Sequence, residues 1–161
     1  NWNLIMTAPV HPFALYAAKF CAMAKMAFLT QIWLLVLFLV GGKLGAGLAG
    51  FPPPEILLWL LRGAVGGLPI IAIQLLLSMV IRNFALPVLM ALGGSILGLM
   101  ATTSNAGLFW PYSLMLMGMN SNRTEDVMTG QLPGFFLSCI VFLAIFLLIA
   151  NVVLARQDVK A

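Results

Sequence analysis

Few side chains in this sequence are able to do chemistry, and their placement narrows what that chemistry is. The 161 residues include one histidine, four acids and two cysteines. An intramembrane hydrolase needs a nucleophile with a base, or a metal held by several ligands. His11 precedes the first long apolar run, and Glu55, Glu125, Asp126 and Asp158 fall in connecting or terminal segments. No acid or imidazole is therefore expected to meet a partner at membrane depth. That argues against an enzyme, and against an ion-coupled carrier built on an intramembrane carboxylate. Cys21 and Cys139 lie in apolar runs, where a thiol behaves as a small hydrophobe, so neither a disulfide framework nor a metal site is expected. Met115, Met117 and Met119 alternate in SLMLMGM. Thioethers are soft ligands for Cu(I), but no Cys or His in this stretch completes a site, and methionine is also a routine filler of irregular apolar surface.

The remaining polar candidates are uncharged. Gln74 and Ser78, four residues apart, share one helix face and lie close in sequence to Asn83. They either line a path for a polar or amphipathic substrate or form hydrogen bonds between helices. Gly94 and Gly98 form a GxxxG pair flanked by Ala91 and Ser95, which permits close helix packing. The break from Gly66 to Pro69 is a candidate for helix unwinding, as in transporter sites at the bilayer midplane, or for a kink tolerated by neighbouring helices.

The elements that must position these residues are set by composition. Hydrophobic residues make up 63% of the chain and charged ones 7%, with mean hydropathy +1.10, whereas soluble domains carry roughly 25% charged residues. An all-α integral membrane protein with a single domain over 1–161 follows. At about 20 apolar residues per crossing, four spans are expected, at about 20–40, 63–81, 84–101 and 135–154. The first helix runs unbroken from Pro12 to Val40, about 43 Å at 1.5 Å per residue, so its first turns project into water. Trp59 and Arg62 are expected on an interfacial turn before the second span, and 102–134 as a long extracytoplasmic loop.

The net charge of +4 does not indicate nucleic acid, because the basic residues are scattered singly. They fit membrane topology instead. With the start cytoplasmic, Lys19, Lys25, Arg82, Arg156 and Lys160 lie inside, and Lys43, Arg62 and Arg123 outside. Both ends are then cytoplasmic, and Trp110 and Tyr112 of FWPY fall in an outer aromatic belt.

The opening stretch NWNLIMTAPVHPF is a short amphipathic segment followed by a proline corner, with Phe13, Tyr16 and Phe20 at helical spacing behind it. By itself this describes a helix lying on lipid. However, the run of Trp2, Leu4, Ile5, Pro9, Val10, Tyr16, Ala17, Ala18 and Lys19 resembles the cytoplasmic loop of ABC-2 type permeases. More narrowly, it resembles permeases of lantibiotic-immunity and bacitracin-resistance exporters. The stretch LPIIAIQLLLSMVIRNFALPVLMALGGSILG and the following WPYSLMLMGM are similar to the same subfamily.

That resemblance implies a bacterial plasma-membrane permease of six helices, of which this chain holds the last four, preceded by a coupling helix in the elbow at 1–18. An N-terminally truncated chain is expected, since the sequence starts at Asn1 within the motif. Trp2, Leu4, Ile5, Pro9, Phe13 and Lys19 would contact a separate ABC ATPase subunit. That subunit would bind ATP and Mg, because the Walker motif GxxxxGK[ST] is absent from this sequence. A second permease chain, identical or different, and an antimicrobial peptide cargo are also implied. Export of a drug, lipid or glycan is the alternative, and a non-transport membrane scaffold is the other.

Overall fold

The computed structural model describes residues 12–104, 106–121, 123 and 125–156. Four helices within them are long and apolar enough to cross a membrane. Helix α1 spans Pro12–Val40. Proline suits its first position, where an amide donor would have no partner, and no later Gly or Pro interrupts it before Gly41. The chain then loosens into a π-helical turn, Gly41–Gly45, and crosses three prolines into α2, Glu55–Val80. A tight break at Arg82 and Asn83 leads to α3, Ala85–Thr103. Two 3₁₀ turns, Gly107–Phe109 and Pro111–Ser113, and a short α4, Leu114–Gly118, follow. Finally, α5 runs Leu132–Arg156.

The second helix differs from expectation. No break separates Trp59 and Arg62 from the span: α2 is one continuous helix through Arg62, Gly63, Gly66, Gly67 and Pro69. Pro69 withholds a donor from the Val65 carbonyl, a loss that spanning helices tolerate when neighbours pack around the site. Pro69 and all three glycines are buried. The glycines are contact surface, and the helix does not unwind there. The region 102–134 is likewise more than a loop, because the 3₁₀ turns and α4 fold back against α2 and α3.

Two apolar cores hold the bundle. At one end, Tyr16 from α1, Leu75 and Leu76 from α2, and Ala150 and Leu154 from α5 pack together with Phe13 and Phe20. We call this the basal end. At the other, Leu114, Met128, Phe135 and Cys139 pack with Val65 and Leu108. Each end gathers the helix termini that an up-down order brings together. The basal core has one buried polar tie: the Tyr16 hydroxyl donates to the Ala72 carbonyl at 2.8 Å. Removing it in Tyr16→Phe is expected to cost about 0.6 kcal/mol, the typical worth of a hydrogen bond between spanning helices. A melting midpoint in detergent lowered by only ~2 °C would report it.

Candidate functional site

The feature that organises the non-basal half is the segment 107–118, which re-enters the bundle as a wedge between α2 and α3. Irregular backbone at membrane depth has to be buried and hydrogen-bonded, and the sequence provides for both. The Ser113 hydroxyl donates to the carbonyls of Gly107 and Trp110, pinning the two 3₁₀ turns together. The Trp110 indole N–H donates to the Gly94 carbonyl at 2.9 Å. Tyr112 lies on Gly94 and Gly98, and its hydroxyl accepts from Gln74 Nε2 at 2.5 Å. Gly94 stands nine residues before the end of α3, so the wedge reaches about 13 Å below that end.

Glycines make room for it. A Cβ on Gly66 would stand 2.5 Å from the Leu114 carbonyl oxygen, one on Gly118 2.6 Å from that of Arg62, and one on Gly94 2.7 Å from the Tyr112 ring. All are closer than real Cβ atoms approach, so these positions admit no side chain without movement.

The wedge is closed by a polar latch. Arg62 is 3% exposed, and its Nη2 donates to Asp126 Oδ2 at 2.8 Å, in the only ion pair among the described residues. The Trp59 indole N–H donates to the same oxygen at 3.3 Å, and the Met128 amide to Oδ1 at 2.9 Å. Burial by itself would raise the Asp126 pKa. The Arg62 hydrogen bond, the Met128 and Trp59 donors and the Arg62 charge outweigh it and hold the carboxyl below its ordinary range. Asn120 turns the chain from wedge to latch at φ +51°, a conformation asparagine adopts more readily than most residues, and its side-chain oxygen accepts from the Val127 amide at 3.1 Å. An acid therefore meets a partner on a spanning helix, because a loop carboxylate folds back onto an arginine two turns into α2.

Of the residues singled out from sequence, Gln74 and Tyr112 are brought together, with Gly94 and Gly98 forming the floor under the tyrosine. Tyr112 is 7% exposed and so belongs to the interior rather than to an outer belt, while Trp110 is half-buried beside it. Ser78 bonds its own helix, donating to the Leu75 carbonyl. Asn83 accepts from the Ala85 amide at the start of α3. These two do not join the Gln74–Tyr112 pair. Phe13 stacks on Tyr16 with ring centroids 6.0 Å apart, and Lys19 is half-buried on α1. Trp2, Leu4, Ile5 and Pro9 lie outside the described residues.

The methionines of α4 diverge. Met115 sulfur approaches Gly67, Met117 lies on Gly107, and Met119 lies on Gly63 and accepts from Gln31. Their side chains serve three separate contacts. Sequence reasoning missed Trp59, Arg62 and Asp126 as a unit, and Gly66 and Gly118 as contact surfaces. The available signal was an arginine inside an apolar run, which demands a partner.

Comparison with known proteins adds one match. The family model described as ABC-2 family transporter protein matches residues 1–98. The match takes in the opening stretch, α1, α2 and most of α3, and stops short of the wedge. No curated protein and no solved structure matches.

Proposed function

This chain belongs to the ABC-2 transporter family, and from that premise we propose that it is the permease of an ATP-driven exporter of amphipathic antimicrobial peptides. Membership makes it the membrane component of an ABC transporter, which works with an ABC ATPase subunit and is not itself the catalyst. The finer reading rests on the opening run from Trp2 to Lys19, with its likeness to lantibiotic-immunity and bacitracin-resistance permeases. It also rests on the excess of lysine and arginine at the basal end, where Lys19, Lys25, Arg82 and Arg156 lie. In a bacterial plasma membrane that excess favours a cytoplasmic basal side.

In this reading the elbow docks on the ATPase, and α1, rigid for about 43 Å, carries the displacement to the wedge end. A second permease chain completes the pore. The ATPase partner binds ATP and Mg. Trp2, Leu4, Ile5 and Pro9 form the docking face, with Lys19 at its edge. Phe13 has two duties, because it also packs into the basal core.

The test therefore uses Trp2→Ala with Leu4→Ala and leaves Phe13 in place. Expressed with its neighbouring ATPase gene, the natural permease is expected to co-purify with the ATPase and to show hydrolysis stimulated by a lantibiotic or bacitracin. The double variant is expected to lose at least about tenfold in ATPase recovery at equal permease yield, since two buried anchors each exceed ~1 kcal/mol. Stimulation by a drug, lipid or glycan in place of peptide would change the cargo. Absence of any ATPase in the complex would leave a membrane scaffold.

A further inference from the structure

The wedge holds α2 and α3 apart at one end while the Arg82–Asn83 break ties them together at the other. Between them, on the basal half, a cleft of about 430 Å³ remains. Its walls are Leu75, Pro87, Val88 and Ala91, with Met23 of α1 across from them. Ser78 and Arg82 line its basal end. Arg82 and Ser78 are exposed, as are Met23 and Val88. The cleft therefore opens sideways, between helices that cross the bilayer, and not into the interior of the bundle.

An apolar slot facing the hydrocarbon core excludes water, and an acyl chain is the material at hand to fill it. The cation at its end selects the head. Arg82 has no carboxylate partner among the described residues, and no acidic residue lines the cleft. The first turn of α3, the positive end of that helix dipole, begins three residues beyond Arg82. A cationic peptide is repelled from such a mouth and an anionic headgroup is drawn to it.

We propose that this cleft is a binding site for one anionic phospholipid, with an acyl chain between α2 and α3 and the phosphate on Arg82. The site is built from α1, α2 and α3 and rests on their crossing a bilayer, not on the cargo. Its failure is therefore separable from failure of the peptide-export reading, which the ATPase experiment decides.

The experiment reconstitutes the purified full-length permease into nanodiscs of equal parts phosphatidylglycerol and phosphatidylcholine, re-extracts it in mild detergent, and measures the retained lipids by mass spectrometry. The ratio of phosphatidylglycerol to phosphatidylcholine among the retained lipids is expected to be about five times the bulk ratio, as one basic contact near a membrane surface implies. Arg82→Gln is expected to return the ratio to the bulk value, and Arg82→Lys to restore it in part. Lys25→Gln, a cation at the same end but outside the cleft, is expected to leave retention unchanged. Ala91→Phe, which fills the slot, is expected to lower retention with Arg82 intact. Added glycerol phosphate is expected not to compete, which separates a lipid from a free phosphate. Retention at the bulk ratio, equal losses in Arg82→Gln and Lys25→Gln, or displacement of the lipid by a cationic amphipathic peptide at the same site would each overturn the proposal.

Discussion

Asp126→Ala is expected to be the most damaging single substitution outside the elbow, because it strands Arg62 in the interior. Breaking a buried pair from one side costs about 3 kcal/mol or more. The lower figure applies here, since the Asp126 side chain keeps 29% exposure while Arg62 keeps 3%. The thermal midpoint in detergent should drop by about 8 °C. Adding Arg62→Met to Asp126→Ala should recover most of the loss, because replacing both charges by apolar groups is close to neutral. A double variant as unstable as the single one would refute the latch. The pH dependence has a definite sign. The carboxyl is held below its ordinary value in the folded chain. Its contribution is therefore complete above pH ~4 and is lost as acid drives the pH down through the lowered pKa. The gap between wild type and Asp126→Ala should close below that point and stay constant above it.

Gly66→Ala is expected to destabilise by about 2 kcal/mol, within the range for overpacking. Its new methyl would meet backbone atoms of Leu114 and Met115 that no rotamer change can clear. Gly93→Ala makes the control. A Cβ there meets nothing within 4 Å, and alanine favours a helix over glycine by up to about 1 kcal/mol. The two alanines should therefore shift the midpoint in opposite directions. Cys139, buried beside Leu114 in the core opposite the basal end, is a native reporter. In a Cys21→Ala background, its maleimide labelling during a temperature ramp should begin several degrees earlier in Gly66→Ala and no earlier in Gly93→Ala. Equal shifts for both would mean that the wedge does not rest on Gly66.

The sequence made the spanning helices plain, and the unbroken 29-residue α1 follows from the absence of any internal Gly or Pro. What it left hidden are contacts across long separations. The Arg62–Asp126 pair joins residues 64 apart, and no local period carries that information. Gly63, Gly66 and Gly67 read as interruptions when α2 is considered alone, since glycine weakens an isolated helix. Once a partner backbone lies on them, they are the surface it needs. Tyr112 was legible as aromatic and amphipathic, which suits a membrane interface as well as a hydrogen-bonded interior. Only the folding back of its loop chooses between the two. Ser78 and Gln74 share a face as their spacing requires, yet only Gln74 finds a partner across the bundle.

Helix α3 is seated mainly through the 3₁₀ turns and α4 and only sparsely against α2, and this bears on how the chain is made. The residues that seat it leave the ribosome after it does. A nascent chain whose α3 has entered the bilayer while the following segment is still emerging has only the sparse α2 contact to dock it, so the helix waits in lipid beside its neighbours until the wedge folds back. Insertion and assembly are thus separate events in this half of the protein, and quality control would meet a fully inserted, unassembled intermediate.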